Sequence, residues 1–538
     1  MTFTAEKFLS TNDEFQLGFL PTEQGHPLTE ELSKWAKEDM DLAMERLRQV
    51  DLKALEVLSQ ERLSESEFDQ QIEPLKKEVQ STIKSGHRVF LCGCGATGRL
   101  ALSLEFLFRQ QLNSEQVVGF TAGGDIALVH SLEGFEDHPD YGAEQLMGLN
   151  FSSQDLFIGL TEGGETPFVI GATQAAAKIS KRPVFFIHCN PSALLKEKIA
   201  RSRQVLSLPQ VREVSLYVGP MAIAGSTRMQ AATVMMLVVG YCLLNSQRKW
   251  KRSDLIAEVS RLSRHYQQLN LRKMGELTLA EAQAYAQGHH TCYVTDFFAI
   301  TVFTDTTERA PTFSLPSFNS FDQSDAEPSL SYVMLPSGYS PERTWVQLLG
   351  REPRSLEWAE RDSKTTAGYL SGFDFGSHAL NRRQQTIRGK PHHTFVIDRP
   401  SPMCSLWRFR GKEWSFAIFA DNELWNHLLV KMLLNMHSTL IMGRLGRYTG
   451  NLMTWVKPNN GKLIDRASRY VQELLRRQGV ELSYDRVVTE LFEQVKELKE
   501  KESVVEKTVQ AILAKPECQR AYSTACVSLT TVTLMSPG

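Results

Sequence analysis

Glycines and hydroxyl side chains lie together in two short segments, each directly after an apolar, strand-like run. GCGATG (93–98) follows HRVFLCG, and TEGGETP (161–167) follows DLFIGL. Each segment also opens a helical run, so backbone N–H groups at a helix N-terminus are free to bind an anion. Thr97, Thr161 and Thr166 add hydroxyl groups. These loops favour the binding of a sugar or a sugar phosphate.

The first loop also satisfies the GxGxxG fingerprint of dinucleotide-binding proteins, through Gly93, Gly95 and Gly98. Such a site needs an acid at the end of the next strand, about 20 residues on, to bind the ribose. The next strand here ends in TAGGD, with glycines at that place and Asp125 beyond them. A dinucleotide site and a plain structural turn stay as alternatives, and a sugar phosphate is the preferred ligand.

A third polar loop, AGSTRMQ (224–230), follows VSLYVGP and opens a long apolar helix. Loops at the carboxyl ends of parallel strands form the crevice in which open α/β sheets bind ligands. Glu162 and Glu165 place two carboxylates beside a phosphate, which is unfavourable unless they face away or bind sugar hydroxyls. The candidate ligand-binding residues of the three loops are Gly95, Ala96, Thr97, Gly98, Thr161, Gly163, Thr166 and Ser226.

An α/β sheet must position these loops. The strand-like runs HRVFLCG, QVVGFTAG, DLFIGLTE, RPVFFIHCN and VSLYVGP alternate with helical stretches, which predicts βαβ crossovers and a parallel sheet covered on both faces. A second series, TCYVTDFFAITVF, SYVMLPSG, HTFVIDRP and EWSFAIF, repeats this layout without a glycine loop. We interpret the two series as an ancient duplication in which only the first copy kept its loops.

The 538 residues are enough for two or three domains. We predict an N-terminal helical segment (1–60), a first α/β domain with the ligand loops (61–265), a second α/β domain with degenerate loops (266–450), and a C-terminal helical region (451–538) that forms a lid.

Composition excludes several classes of function. The formal net charge of −2 predicts no general attraction to nucleic acid or to a membrane surface. No apolar run is long enough for a transmembrane helix. The eight cysteines have no zinc-site spacing, which indicates reduced, buried thiols in a cytoplasmic protein. We expect neither a metal nor a cofactor.

The motifs GCGATGRL, TAGGD, EGFED (133–137), TEGGETPFVIGA, HCNPSA and GSTRMQAAT resemble N-acetylmuramic acid 6-phosphate etherase in order and spacing. Residues 446–471 look like the C-terminal signature of that family. The doubled plan is similar to the glucokinase regulatory protein family, a catalytically silent relative that binds fructose phosphates and inhibits a hexokinase. The resemblance covers roughly 25–510 and implies two tandem SIS (sugar isomerase) domains of flavodoxin-like, parallel-sheet fold.

Two departures from the etherase pattern lie in the loops. The etherase loop usually reads GTSG where this chain has Ala96 and Thr97, so one hydroxyl group is lost. A serine usually stands at the place of Gly163, where the regulatory protein also has glycine.

Etherase chemistry requires a base that takes the C2 proton and an acid that protonates the leaving ether oxygen. The resemblance implies that Glu136, in EGFED, is one of the two groups. The family places the other in DxxExxPT on the helix after the first loop, where this chain has Leu104 and Leu107. Glu105 is close in sequence, but it would point about 200° away around the helix. By this comparison the first domain alone is incomplete.

The missing DxxExxPT motif occurs in the second domain, at 305–312. In the dimeric etherase this glutamate reaches the site of the partner subunit, so the resemblance implies that Glu308 completes a composite site within one chain. The alternative is that Glu308 caps a helix or forms a structural ion pair. Lys462 matches a lysine of the regulatory protein's sugar-phosphate site and could offset the acids, with a plain surface lysine as the alternative.

Two functions follow from the resemblance. The favoured one is a regulator that senses a hexose or N-acetylamino-sugar 6-phosphate, with a sugar kinase as a candidate partner. The other is an N-acetylmuramic acid 6-phosphate etherase-type lyase that releases D-lactate, with Glu136 and Glu308 as acid and base.

Overall fold

The structure, a computed structural model, describes residues 4–12, 15–132, 134–321, 323, 326–458, 460–499 and 502–516. Within these ranges, five α-helices precede the first strand, and the last of them ends at Lys84, where the predicted helical patterning also ends. They are α1 (Ala5–Leu9), α2 (Leu32–Glu38), α3 (Met40–Val57), α4 (Glu65–Glu67) and α5 (Glu73–Lys84).

The first sheet is parallel and five-stranded, in the order β2-β1-β3-β4-β5. This is the flavodoxin-like order, in which the switch point lies between β1 and β3. Its strands and helices are β1 (Val89–Gly93), α6 (Ala96–Leu112), β2 (Val117–Thr121), α7 (Pro139–Gly148), β3 (Leu156–Leu160), α8 (Pro167–Ile179), β4 (Val184–His188), α9 (Ser192–Lys198), α10 (Ala200–Leu206), β5 (Val211–Ser215) and α11 (Gln230–Leu244).

Burial explains why these short apolar runs form strands. Every residue of β1, β2, β3 and β4 is buried, as expected for a parallel sheet with helices on both faces. The last strand, Val211–Ser215, lies earlier in the chain than VSLYVGP predicts, although Leu216 beyond its end still donates its backbone N–H to His188 O of β4 at 2.7 Å. The predicted α/β fold is confirmed for this unit.

Helices connect the first sheet to the second: α12 (Arg252–Gln268) and α13 (Arg272–Ala286). The second unit contains β6 (His290–Val294), α14 (Ala299–Phe313), β7 (Ser331–Met334), α15 (Pro341–Leu349), α16 (Ala367–Ser371), α17 (Ala379–Thr386), β8 (His392–Ser401), β9 (Cys404–Phe409), β10 (Lys412–Ala417) and α18 (Glu423–Arg444).

The second sheet has the order β10-β9-β8-β6-β7 and is mixed. Strand β6 pairs parallel with β7 and β8, as predicted, whereas β8, β9 and β10 form an antiparallel meander. Strand β9 was not predicted, because CSLWRF lies between two tight turns rather than after a helix. The second copy therefore keeps its α/β plan at β6 and β7 and departs from it at the far edge.

The two units share one continuous core. Helices α6 and α11 of the first unit pack against α14 and α18 of the second. A Cβ added at Gly240 of α11 would lie 2.9 Å from Leu104 of α6 and from Leu424 of α18, so glycine allows this close approach. This packing brings α6 and α14 into direct contact.

Three C-terminal helices, α19 (Gly461–Arg476), α20 (Tyr484–Lys496) and α21 (Val504–Leu513), pack on one another. The part of the predicted C-terminal region at 517–538 lies outside the described residues. The Tyr470 hydroxyl of α19 donates to Ala224 O at 2.7 Å, so α19 covers the third loop of the first unit. The predicted domain boundaries at 60, 265 and 450 stay predictions.

Candidate functional site

The turn between β1 and α6 depends on glycine. Gly95 has φ +55°, in the left-handed region, and α6 begins directly after it. A Cβ at Gly98 would lie 1.9 Å from Thr121 Oγ1 of β2. The Thr97 hydroxyl donates to Cys94 O at 2.9 Å and accepts from Cys94 N at 3.1 Å, so it stabilises the turn itself. Its predicted role in ligand binding stays a prediction.

The second loop, after β3, is held by its own hydroxyl groups. The Thr161 hydroxyl donates to Thr166 Oγ1 at 3.1 Å and accepts from Gly164 N at 3.2 Å. Gly164 has φ +77°. The Gly163 carbonyl accepts from Asn190 Nδ2 at 2.9 Å, which ties the loop to the end of β4. The loop is therefore a turn that its own hydrogen bonds stabilise, at the carboxyl edge of the sheet.

The third loop bridges the two units. Ser226 is buried and donates its backbone N–H to Ile223 O at 2.9 Å. Arg228, two residues on, donates to Asp305 Oδ1 of α14 at 3.0 Å. Asp305 is the aspartate of the DxxExxPT motif, and it also binds Arg309, Asn435 and Ser438, so its role is to anchor α14.

Lys462 of α19 contacts two of the predicted acids. Its Nζ donates to Glu165 Oε1 at 2.7 Å and to Glu136 Oε1 at 3.3 Å. The other oxygen of Glu165 accepts from Arg201 at 2.5 Å. Burial favours the neutral carboxyl group of Glu165, but Lys462 and Arg201 outweigh burial and lower its pKa to about 2. Lys462 is thus an ion-paired lysine and not a plain surface residue.

Glu308 of α14 reaches the first unit. The Arg99 guanidinium, on the first turn of α6, donates to Glu308 Oε1 and also to Thr307 Oγ1 at 3.2 Å. Both side chains are buried. Glu308 lines the same cavity as Ala96, together with Lys431 of α18. The two units therefore bring Glu308 and the first glycine loop together, as the composite-site hypothesis requires.

Glu162 completes what we call the glutamate cluster, which consists of Glu136, Glu162, Glu165 and Glu308. Burial, and to a smaller extent the nearby Glu308 and Glu136 carboxylates, raises the pKa of Glu162 to about 7. The cluster therefore contains two acids on one loop whose pKa values are shifted in opposite directions. The pKa of Glu162 is raised and that of Glu165 is lowered.

Asp125 and Glu105, which the sequence left without a role, belong to a contact between the units. Arg351 donates to Asp125 Oδ1 at 3.1 Å and to Glu105 at 2.9 and 3.1 Å. Arg354 donates to Glu105 Oε1 at 2.7 Å. Glu105 thus faces away from the glycine loop, as predicted. Sequence reasoning missed these arginines, since nothing in REPR (351–354) marks them as partners of acids more than 200 residues away.

Two kinds of structural feature are absent from the described part of the chain. Among those residues, no group of three or more His, Cys, Asp and Glu side chains is arranged to hold a metal ion. No helix within the described ranges is long and apolar enough to cross a bilayer.

Parts of the chain are similar to known proteins. Residues 71–177 match the family model of the glucokinase regulatory protein N-terminal SIS domain. The chain is 32% identical over 191 residues to N-acetylmuramic acid 6-phosphate etherase 1 of Bacillus licheniformis, which covers 34% of this chain and 59% of that protein. It is 34% identical over 171 residues to the etherase of Klebsiella aerogenes, covering 31% and 53%. The chain thus spans little more than half the length of these relatives.

A solved structure gives a weaker match. The C-terminal domain of the glucosamine-fructose-6-phosphate aminotransferase from Francisella tularensis is 11% identical, with a TM-score of 0.40, over 75% of this chain and 96% of that chain.

Residues 71–177, in the first α/β unit, are thus similar to an SIS domain. Part of the chain is also similar in sequence to N-acetylmuramic acid 6-phosphate etherase.

Proposed function

We propose that this chain binds an N-acetylamino-sugar or hexose 6-phosphate in the composite site and acts as an etherase-type lyase. The observation that supports this most is the position of Glu308, which the second unit brings to the glycine loop of the first. The etherase relatives support the same activity, since the chain is 32% and 34% identical to two of them over 191 and 171 residues. A cytoplasmic location belongs with this proposal.

The reaction needs one carboxyl group as a base at C2 and another group as an acid at the ether oxygen. Glu136 and Glu308 are the proposed pair. Both are held in place by cations, Glu136 by Lys462 and Glu308 by Arg99. In the proposed reaction one of the two takes the C2 proton as a carboxylate, and the other, carrying a proton, donates it to the leaving ether oxygen.

Phosphate binding has to come mainly from the backbone. Lys462 and Arg201 are already engaged by Glu165, so these cations are partly neutralised. The N–H groups at the start of α6 carry the positive end of the helix dipole and remain the natural phosphate site. We therefore propose that the phosphate lies at Gly95–Gly98, with the sugar ring toward the glutamate cluster.

A second candidate is a regulator that binds the sugar phosphate without turnover and acts on a partner such as a sugar kinase. It is favoured by the match to the regulatory protein's domain and by the cation pairing of both proposed acid–base groups. A regulator needs these glutamates only to hold the ligand.

Lactate release from N-acetylmuramic acid 6-phosphate separates the two functions. We expect turnover by the unmodified chain and a loss of about 10²–10⁴-fold in Glu136→Gln and in Glu308→Gln. Glu115→Gln, at an acid exposed outside the cluster, is the matched control and should keep full activity. Absence of lactate with every form, with sugar phosphate binding that Glu308→Gln still weakens, would instead establish the regulator.

A further inference from the structure

Glu162 is a buried acid with an unused hydrogen-bonding atom. Its residue is 7% exposed, and its Oε1 has no hydrogen-bond partner among the described residues. Its backbone is fixed, because Glu162 O accepts from Cys189 N at 2.9 Å and the next carbonyl accepts from Asn190. Buried polar atoms are almost always hydrogen-bonded, so an orphaned carboxyl oxygen at a candidate ligand crevice points to a missing partner.

The groups around Glu162 do not supply that partner. Lys462 of α19 gives its hydrogen bonds to Glu165 and Glu136. Lys431 gives its own to Arg228 O, Thr233 and Asn435. Titratable groups from the elements packed against Glu162 interact with it electrostatically. They are Cys94, Glu136, Cys189, Glu308, Lys431 and Lys462.

The balance of these groups favours a proton on Glu162. Burial is the largest effect on its pKa, and the Glu308 and Glu136 carboxylates add to it. Its own backbone N–H and Lys462 oppose them, and the result is a pKa of about 7. A protonated carboxyl group is a hydrogen-bond donor, whereas an ionised one accepts only. Glu162 therefore differs in kind from the cation-paired Glu136, Glu165 and Glu308.

We propose that Glu162 is a further ligand-binding residue and that its carboxyl group, carrying a proton, donates a hydrogen bond to an oxygen of the bound sugar phosphate. This rests on the proposed sugar-phosphate site. Because the ligand is an anion, loss of this proton replaces a donor by a second negative charge. Binding of the sugar phosphate is then coupled to one proton on the protein.

Calorimetric titration with N-acetylglucosamine 6-phosphate between pH 7.5 and pH 9 tests this coupling. A phosphate monoester has its second pKa near 6, so the ligand's charge is constant in this range. We expect the affinity of the unmodified chain to fall by more than about tenfold over the range, since a required proton with a pKa of about 7 becomes scarce.

Glu162→Gln keeps the shape and a donor but does not ionise, so its affinity should fall much less over the same range, only by what the titration of Lys431 contributes, since burial lowers the pKa of Lys431 to about 8. Glu162→Asp keeps an ionisable group and should restore the pH dependence. An infrared difference spectrum between pH 6 and pH 9 provides a second measurement. We expect the carbonyl band of protonated carboxyl groups to be larger in the unmodified chain than in Glu162→Gln, where Asp51, whose pKa burial raises to about 6, still contributes.

The outcomes separate this inference from the proposed function. Equal pH dependence in the unmodified chain and in Glu162→Gln, or an infrared band of equal size in both, overturns the inference and leaves the sugar-phosphate site standing. Failure of the unmodified chain to bind any hexose or amino-sugar 6-phosphate at every pH overturns the proposed function and this inference together.

Discussion

Arg99 joins the two units at a single side chain. It stands on the first turn of α6 in the first unit, and its guanidinium donates to Glu308 and Thr307 of α14 in the second. It also donates to Ser131 Oγ at 3.3 Å. A planar guanidinium serves these three partners at once, which a lysine ammonium would do less well. Arg99 therefore both stabilises the contact between the two units and orients the proposed catalytic carboxyl group.

Removal of Arg99 should leave Glu308 as an uncompensated buried charge. We expect Arg99→Met to lower the free energy of unfolding by about 3–5 kcal/mol. The double variant Arg99→Met/Glu308→Gln should recover most of that loss, because a neutral amide needs no cation. Denaturant unfolding of both single variants and the double variant measures the coupling. Strictly additive effects would show that Arg99 and Glu308 do not act as a pair.

At the level of elements, α19 carries Lys462 into the cluster, and a buried ion pair holds α19 in place. Glu23, in the segment before α2, accepts from Arg466 at 2.7 and 3.0 Å and from Arg469 at 3.3 Å. Arg466 lies one helical turn after Lys462. Burial would raise the pKa of Glu23, but Arg466 and Arg469 outweigh it and lower the pKa to about 2.

The sign of the pH effect follows from that value. Since the folded-state pKa of Glu23 lies below the ordinary carboxyl value of 4.5, the pair stabilises the fold above pH 4.5. This stabilisation is lost as the pH falls toward 2. We expect Glu23→Gln to lower the free energy of unfolding by about 3 kcal/mol at pH 7, and by progressively less at acid pH.

Glu30→Gln is the matched control, since Glu30 forms an exposed ion pair with Arg477 at 3.7 Å at the far end of the same helix. Such a pair should contribute less than about 1 kcal/mol. Glu23→Gln should also weaken sugar phosphate binding, because a loosened α19 displaces Lys462. Unchanged binding together with lowered stability would show that the position of Lys462 does not depend on Glu23.

At the level of the whole molecule, local patterns predicted the first unit well. Four of its five strands are the predicted apolar runs, whereas the fifth, Val211–Ser215, overlaps the predicted run VSLYVGP only at its end. The glycine loops after β1 and β3 lie at the carboxyl ends of their strands, as expected. Strand β9 and the mixed second sheet were not predicted, because no crossover helix separates the strands of the antiparallel meander and marks them in the sequence. Long-range ion pairs were missed for a different reason. The partner of Glu308 and the partners of Glu105 and Asp125 depend on how two units dock, which no local pattern encodes.

The strand ends of the two units differ, and this difference predicts the stoichiometry. The first unit has turns with φ-positive glycines at 95 and 164, whereas the equivalent end of β6 continues as TDFF. There Asp296 accepts from Ser337 N at 3.1 Å, from the Ser337 hydroxyl at 2.8 Å and from Gln347 at 3.0 Å. Side chains of the second unit thus occupy the edge at which the first unit leaves a crevice.

We therefore expect calorimetry to give one sugar phosphate per chain. Glu308→Gln should change the affinity, because Glu308 faces the first unit's loop, whereas Asp296→Asn should leave the dissociation constant within about twofold of the unmodified chain. Both substitutions neutralise one acid of the second unit, so they are matched in charge. Two equivalent sites per chain, or a loss of binding in Asp296→Asn, would mean that the second unit binds ligand at its own strand ends and contributes more than Glu308 to the composite site.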